Sequence, residues 1–387
     1  MDKTVLRQLL DLVPQRSFRR LSCEQKVSFD KQGLSAWEQF ICMSFAQLTH
    51  CTGLREIEIS VSAMSHKTYH LGLHSSVSKS NLSRANNKRP SSVFKSLAEL
   101  LIKQASNLYK GEKLEEELKE AVYILDSTYI SLCLSLFPWA KIGKQHYAGI
   151  KVHTQLDLRG SIPTFIRVSK GTYPDNKMLD EIVIEPGAFY VMDKAYVDFA
   201  RLSNIDDAKG YFVVRFKSNI KFKRLYSSYV TTPVMLDQIG KLTGSEGKRK
   251  YQNKIRKVIF HDCKKNKNLV FMTNNFSIKA ELIPALYKHR WQIEIFFKWI
   301  KQNLRIKKFY GTSQNAIETQ IWIAISTYLL VAIAKKKLKL EPPLSQILHI
   351  LSISLFEKEP IYQLLNKTHP SLDSLTTSKQ LNLFAFR

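Results

Sequence analysis

The sequence has few features of a secreted, membrane-spanning or disulfide-stabilised protein. Its five cysteines are an odd number without a Cys-x-x-Cys pair, which favours a reducing compartment and argues against structural zinc. The first 21 residues contain two acids, no clean apolar stretch and no small-residue cleavage site, so we expect no signal peptide. The longest apolar run, residues 321–334, includes Ser326 and Thr327. It is too short to span a bilayer, and we interpret it as a buried helix.

Acidic residues are scarce relative to basic ones. The 33 Asp and Glu face 59 Lys and Arg, which gives a formal net charge of +26 and a pI near 9.7. A polyanion, either nucleic acid or an anionic membrane surface, is the expected partner, and the alternative is ribosomal or merely solvated basicity. The hydrophobic content of 44% excludes a disordered tail, and 387 residues suffice for two or three domains. We expect no membrane contact and a cytoplasmic, nucleoid-associated protein.

Residues 1–118 show a helical pattern throughout. Ser35 followed by Glu38 is a capping-box helix start, and a second helix is predicted from Leu54. A third helix is predicted between residues 75 and 90, with Ser78 or Ser80 as its cap. Its outward residues are predicted to be Lys79, Arg84, Asn86, Asn87, Lys88 and Arg89. Such a helix suits a DNA groove, so we predict an all-helical N-terminal DNA-binding domain; a solvated polar helix or loop is the alternative.

A β-rich pattern follows this helical part. Three consecutive strands are predicted at 121–130, 147–158 and 161–168. Helices and strands then alternate: a helix at 176–184, a strand at 188–192, a helix at 198–207 and a strand at 210–215. A meander followed by such alternation indicates an α/β fold with a mixed sheet.

Residues 217–275 interrupt the alternation. They contain two short strand-like pieces, at 257–260 and 268–272, and a basic loop with ten Lys or Arg between positions 241 and 267. We interpret this part as an inserted β subdomain whose face meets DNA phosphates; a disordered basic loop is the alternative. The predicted core domain therefore combines residues 119–216 with 276–340, and residues 341–387 form a helical C-terminal segment.

Residues 277–305 are predicted to form one long helix, provided that Pro284 lies in its first turn or at a kink. At about 100° per residue, Tyr287, Arg290, Glu294 and Lys301 share one narrow face. The neighbouring apolar stripe consists of Leu286, Ile293, Phe297, Ile300 and Leu304. The four polar residues should thus be half buried at the edge of the core, as phosphoryl chemistry on DNA requires. A simple helical ion pair between Arg290 and Glu294 is the alternative.

Two acids are predicted to end strands, Asp126 and Asp193. Together with Glu294 they could converge on Mg²⁺, which prefers carboxylate oxygens and water. Turn formation or helix capping is the ordinary alternative for each Asp. Asp175, which follows Pro174, is predicted to cap a helix. His146, His153 and His289 lack the His-x-x-x-His spacing of a zinc site, and no glycine-rich nucleotide loop is present.

These residues resemble the IS4-type DDE transposases. The family's Y-(2)-R-(3)-E-(6)-K helix is matched by Tyr287, Arg290, Glu294 and Lys301 with every spacing kept. Residues 125–128 resemble its first acidic box, 193–199 its second, and 214–219 the basic strand that follows. Coverage extends over roughly residues 120–305. The chain departs from the family pattern at Ala195, where many members have Gly, and at Pro174, where His is expected.

The resemblance implies an RNase H-like catalytic core with a β insertion. It implies two divalent ions, Mg²⁺ or alternatively Mn²⁺, held by the catalytic residues Asp126, Asp193 and Glu294. Water and then the released 3′-OH would attack at the transposon end, and a dimer would hold terminal inverted repeats and target DNA. The implied DNA-binding residues are Tyr287, Arg290, Trp291, Lys301, Arg215 and Lys217, beside Lys79, Arg84, Lys88 and Arg89 of the third helix.

Trp291 would stack a flipped base, although a core position is equally compatible with its sequence environment. Two other functions stay open: a nuclease of the same fold that does not join DNA, and an inactive DNA-binding derivative.

Overall fold

A computed structural model describes residues 3–27, 34–74, 77–112, 120–143, 147–303 and 308–366. Its N-terminal part is helical, with the bounds α1 (Val5–Leu10), α2 (Gln15–Glu24), α3 (Ala36–Leu48), α4 (Leu54–Ala63), α5 (Ser65–Thr68), α6 (Lys79–Lys88) and α7 (Ser92–Tyr109). The predicted capping box is confirmed, since Ser35 Oγ accepts from the Glu38 amide at 3.1 Å and Glu38 accepts from the Ser35 amide at 2.9 Å. Ser78 caps α6, as predicted.

The predicted outward orientation of α6 is wrong at two residues. Asn86 is only 2% exposed and accepts a hydrogen bond from Gln39 of α3 at 2.6 Å. Arg89 donates to the carbonyl oxygens of Leu34 at 2.7 Å and Ser35 at 3.3 Å. These side chains point inward because they satisfy polar groups at the start of α3 that would otherwise be buried without partners.

The strands form one nine-stranded mixed sheet. Their bounds are β1 (Val122–Leu132), β2 (Ala148–Asp157), β3 (Ile162–Lys170), β4 (Phe189–Met192), β5 (Tyr211–Arg215), β6 (Phe222–Ser228), β7 (Val234–Leu242), β8 (Ile255–Asp262) and β9 (Lys267–Thr273). The order is β3-β2-β1-β4-β5-β9-β8-β7-β6. β1, β4 and β5 are parallel, and the other neighbours are antiparallel. The predicted mixed α/β sheet is confirmed.

The interruption at residues 217–275 contains four strands, two of which, β6 and β7, the sequence pattern did not predict. β9 pairs antiparallel with β5, so these strands extend the main sheet instead of forming a separate one. The remaining helices are α8 (Phe199–Asp207), α9 (Ser245–Lys250), α10 (Leu282–Lys288), α11 (Trp291–Asn303), α12 (Gln314–Lys337), α13 (Leu344–Ser354) and α14 (Ile361–Asn366). The helix predicted at 176–184 is a short 3₁₀ segment, Asp175–Asp180.

The prediction of one helix over residues 277–305 is wrong. α10 and α11 are separated at His289 and Arg290, where the backbone tightens into i to i−3 hydrogen bonds, such as that from the Arg290 amide to the Tyr287 carbonyl at 3.1 Å. Pro284 lies in the first turn of α10, as the sequence required. Residues 304–307 lie outside the described part of the chain.

Helix α12 is the centre of the core. It is 24 residues long and apolar enough to cross a membrane, so the argument that its apolar run is too short for this is wrong. The interpretation as a buried helix is confirmed, because 94% of its apolar window is buried inside the protein. It packs against α3, α6, α7 and α13. N-terminal helices, one sheet face and the C-terminal helices thus share one hydrophobic core, and α8 covers the other face. The proposed division into domains stays a prediction.

Candidate active site

Asp126 and Asp193 lie side by side where the parallel pairing of β1 and β4 stops. The last pair in register is Leu125 with Met192, and each Asp is the next residue. Asp193 follows its strand directly, as predicted. The prediction that Asp126 ends a strand is wrong, because β1 continues along β2 to Leu132. Side chains alternate along a strand, so both carboxylates belong to the sheet face that packs on the larger core.

Helices α10 and α11 lie over this pair of acids. Arg290 Nη1 donates to Asp126 Oδ2 at 3.0 Å, and Arg290 Nη2 donates to Glu294 Oε1 at 2.6 Å. Tyr287 Oη donates to Asp193 Oδ1 at 3.3 Å. The predicted Arg290–Glu294 ion pair therefore exists, but it forms part of a larger cluster that links the three carboxylates to the helices.

Burial raises the pKa of two side chains in the cluster, Asp126 and Tyr287. The Asp126 side chain is 22% exposed, and burial raises its pKa to about 6. The Ser127 amide and Arg290 act against this rise, whereas the negative charges of Glu294 and Asp193 add to it. Burial, together with the charge of Asp193, raises the pKa of Tyr287 to about 12, so the phenol keeps its proton at neutral pH.

A cleft of about 440 Å³ opens onto the cluster. Its lining is Asp126, Ser127, Thr128, Glu294, Phe297, Lys298, Lys301 and Gln302. Lys301 Nζ donates to the carbonyl oxygen of Tyr129 at 3.0 Å, which places its ammonium at the rim. A larger cavity of about 550 Å³ between α7, β3 and α12 contains none of the predicted catalytic residues.

The predicted half-buried face is present despite the break between α10 and α11. Its apolar neighbours Leu286, Ile293, Phe297 and Ile300 are buried, and Leu304 lies outside the described residues. Arg290 and Glu294 are 21% and 35% exposed. Trp291 is 61% exposed, so the alternative that it belongs to the core is wrong.

The other predicted DNA-binding residues lie at three places. Arg215 is close to the cluster, with its guanidinium carbon 5.9 Å from the centre of the Tyr287 ring. Lys217 contacts the carbonyl oxygen of Val197, in the loop after Asp193, at 3.5 Å. Lys79, Arg84 and Lys88 are exposed on α6. Arg89 is half buried, and burial lowers its pKa to about 10.

The sequence pattern missed a contact made by Asp175. The prediction that Asp175 caps a helix is wrong, since its carboxylate makes no capping hydrogen bond. It accepts instead from Ser127 Oγ at 2.6 Å, directly beside Asp126. Strand alternation predicts that Ser127 and Asp126 lie on opposite faces of the sheet. No sequence signal predicts the contact between Asp175 and Ser127. His153 lies near Asp175, and His146 lies outside the described residues.

Comparisons with known proteins identify the family of the chain. The family model of the transposase DDE domain matches residues 117–330, and the model of a domain of unknown function matches residues 1–74. A protein of Sinorhizobium fredii named as transposase y4zB is 30% identical over 285 residues, which are 72% of this chain and 78% of that protein. A protein of Synechocystis named as the transposase of insertion sequence element IS4SA is 29% identical over 260 residues, 65% of this chain and 70% of that one.

A third relative, from Geobacillus stearothermophilus, is named as the transposase of insertion sequence element IS5377. It is 26% identical over 256 residues, which are 65% of this chain and 66% of that protein. Among solved structures, a piggyBac transposase synaptic complex with hairpin DNA is similar with a TM-score of 0.43 and 13% identity, over 95% of this chain and 81% of that one. The family match and the relatives confirm the IS4-type resemblance: the chain belongs to the DDE transposase family and is a DNA transposase, an enzyme that cleaves and transfers DNA strands with divalent metal.

Proposed function

We propose that this transposase cuts the terminal inverted repeats of an insertion sequence and joins the 3′-OH ends to target DNA. The observation that carries the proposal is the single cluster in which Arg290 contacts both Asp126 and Glu294 while Tyr287 contacts Asp193. In this proposal the strands β3-β2-β1-β4-β5 are an RNase H-like core, and Asp126, Asp193 and Glu294 are its catalytic residues.

The chemistry of the donor set fits divalent cations, although among the described residues no group of three metal-binding side chains is gathered closely enough to hold an ion. All three candidate ligands are carboxylates, the oxygen donors that Mg²⁺ prefers, and Mn²⁺ accepts the same donors. Burial raises the pKa of Asp126 to about 6, and a bound cation would stabilise its ionised form. When bound, two such cations stabilise the attacking and leaving oxygens of an in-line phosphoryl transfer.

The protein's own side chains position the DNA. When DNA binds, Arg290 and Tyr287 donate hydrogen bonds to a phosphate of the scissile strand in place of their carboxylate partners. Lys301 contacts the same DNA strand at the rim of the cleft. Water attacks the phosphorus at the transposon end, the P–O3′ bond breaks, and a free 3′-OH remains. That 3′-OH attacks a target phosphodiester and displaces the target's own 3′ oxygen. The exposed indole of Trp291 provides a surface on which an extruded base stacks.

DNA is held over a wider surface than the cleft. We assign the N-terminal domain, residues 1–118, to DNA binding through Lys79, Arg84 and Lys88 on α6. We assign the same role to Arg215, the last residue of β5, and to Lys217, which follows the strand. Arg89 is left out because its guanidinium is occupied by α3. The working form is a homodimer that pairs two transposon ends at the nucleoid, in the cytoplasm.

Cleavage of a duplex carrying the inverted repeats that flank the coding region tests the proposal. Asp126→Asn, Asp193→Asn and Glu294→Gln should each lower the metal-dependent nicking rate at least about 100-fold, the scale of losing a preorganised charge partner. Asp180→Asn is the matched control, because Asp180 pairs with Arg201 outside the cleft. A catalytic variant that nicks as fast as the parent would contradict the assignment.

The products distinguish the two other functions. Nicked ends without joining to a supplied target plasmid would identify a nuclease. Specific binding without any metal-dependent nicking would identify an inactive derivative.

A further inference from the structure

A polar cluster lies beneath Asp126, on the opposite face of the sheet. It consists of Ser127, Lys151, His153 and Asp175. We propose that Asp175 is a positioning residue, which acts through Ser127 to hold the Asp126 carboxylate in the cleft. The proposal rests on the function proposed above for Asp126.

Ser127 contacts both acids with different atoms. Its backbone N–H donates to Asp126 Oδ1 at 2.8 Å, and its hydroxyl donates to Asp175 Oδ1 at 2.6 Å. Neighbouring residues of a strand point to opposite faces, so the two contacts lie on either side of the sheet. The hydrogen bond to Asp175 fixes the Ser127 side chain on one face of the sheet. It thereby also fixes the backbone amide that orients Asp126 on the other face.

This attachment lies where β1 has lost one of its two neighbouring strands. Up to Leu125, β1 is held by β2 on one side and by β4 on the other. Beyond Leu125 the pairing with β4 has ended, and β2 alone continues beside Asp126 and Ser127. The hydrogen bond from Ser127 to Asp175 thus holds the strand two residues beyond its last pair with the parallel partner.

Asp175 is itself held firmly. Lys151 Nζ donates to both of its carboxylate oxygens, at 3.1 and 3.2 Å, and also to the carbonyl oxygen of Tyr173 at 3.3 Å. The two charged side chains are only 23% and 21% exposed. The fully buried His153 ring lies beside them, with Nδ1 3.5 Å from Asp175 Oδ1. Ion pair and packing leave the carboxylate few alternative orientations.

Two readouts test the proposal: Mn²⁺ binding to the DNA-free protein, measured from the electron paramagnetic resonance of free Mn²⁺, and the cleavage rate as a function of Mn²⁺ concentration. Ser127→Ala and Asp175→Ala should each weaken Mn²⁺ binding about 10- to 100-fold, as outer-shell partners of metal ligands do. Because both act through one contact, the double variant should be no weaker than Asp175→Ala. Asp175→Asn, which keeps an acceptor for the Ser127 hydroxyl, should stay within about threefold of the parent.

Asp180→Asn is the control, since Asp180 belongs to the same 3₁₀ segment but pairs with Arg201; its Mn²⁺ binding should equal that of the parent. If Ser127→Ala bound Mn²⁺ as tightly as the parent, the proposal would be overturned. It would also be overturned if the loss of Mn²⁺ affinity in the double variant were the product of the losses in the two single variants. Ser127→Ala decides the matter even if Asp175→Ala fails to fold. A parent protein that neither binds Mn²⁺ nor cleaves would instead refute the function proposed for Asp126.

Discussion

Arg290 holds Asp126 by a hydrogen bond of 3.0 Å from Nη1 to Oδ2, and the same guanidinium holds Glu294 at 2.6 Å through Nη2. One cation is therefore shared between two of the three carboxylates that are proposed to bind metal. The guanidinium and a divalent cation compete for the same lone pairs. A DNA phosphate that attracts Arg290 would release those carboxylates to the metal.

Replacing Arg290 by Ala should therefore tighten Mn²⁺ binding to the DNA-free protein, by roughly tenfold, since a unit charge a few ångströms away contributes on the order of 1–4 kcal/mol at a partly exposed site. Cleavage should fall at the same time, because the phosphate loses its contact. Mn²⁺ titration at pH 8, where Asp126 is ionised, checks the first part. Arg201→Ala is the control, since Arg201 pairs with Asp180 and Asp198 elsewhere. Weaker Mn²⁺ binding in Arg290→Ala would contradict competition.

The raised pKa of Asp126 predicts a pH-dependent stability. An acid whose folded-state pKa is about 6, against an ordinary value of 3.8, stabilises the fold while it is protonated, and this contribution is lost as pH rises from about 4 through 6. Asp126→Asn stays neutral throughout. In metal-free buffer the variant should match the parent near pH 4 and exceed its unfolding free energy by roughly 3 kcal/mol at pH 7 to 8.

Thermal or urea unfolding in EDTA between pH 4 and 8 measures this difference. Asp180→Asn, at an exposed ion pair, should show no such growth with pH. If the difference in unfolding free energy between Asp126→Asn and the parent were constant from pH 4 to 8, the ionised carboxylate would not be destabilised by burial.

The sequence predicts the site better than its surroundings. The spacing of Tyr287, Arg290 and Glu294 places them on one face by helical periodicity. Parallel pairing of β1 with β4 brings Asp126 and Asp193 side by side, because each follows the last residue pair in register. The break at His289 was not predictable, because the apolar stripe continues across it. Tyr287 and Arg290 nevertheless reach Asp193 and Asp126, since Arg290 bonds back to Tyr287 within one tightened turn.

Contacts between distant segments explain the other errors. β6 is exposed along most of its length, so it has no alternation of apolar and polar residues to reveal it. Asp175 looked like a helix cap because Pro174 precedes it. Its carboxylate instead accepts hydrogen bonds from Ser127 and Lys151, which are remote in sequence. Arg89 looked like a surface cation because its partners Leu34 and Ser35, just before α3, are more than fifty residues away.

Two tryptophans of α11 provide a test of DNA contact against packing. Trp291 is 61% exposed, whereas Trp299 packs edge-on against Tyr328 with ring centres 4.6 Å apart. Trp291→Ala should change the unfolding free energy by no more than about 0.5 kcal/mol, yet slow processing of the transposon end about 5- to 150-fold if stacking contributes 1–3 kcal/mol. Trp299→Ala should lower the unfolding free energy by about 3 kcal/mol. Unfolding and cleavage assays on both variants measure this; unimpaired cleavage in Trp291→Ala would exclude the stacking role.

Cations of α6 should separate into DNA contacts and a structural residue. Lys79, Arg84 and Lys88 are exposed, so replacing any one by Ala should weaken binding to duplexes of every sequence and lower the slope of log affinity against log salt by about 1 for each lost phosphate contact. Fluorescence anisotropy between about 50 and 200 mM salt measures the slope.

Arg89→Ala should behave differently. It removes the donors to the Leu34 and Ser35 carbonyl oxygens and also breaks a contact with Gln39, so the unfolding free energy should fall by about 1–3 kcal/mol. Because Arg89 faces α3, the salt slope of the folded variant should equal that of the parent. A reduced slope in Arg89→Ala with parental stability would mean that its guanidinium leaves α3 to bind DNA, and α6 would then present all four cations to the phosphates. Salt slopes equal to that of the parent in the Lys79, Arg84 and Lys88 variants would instead exclude α6 from the DNA-binding surface. The net positive charge of the protein would then have to act through other elements.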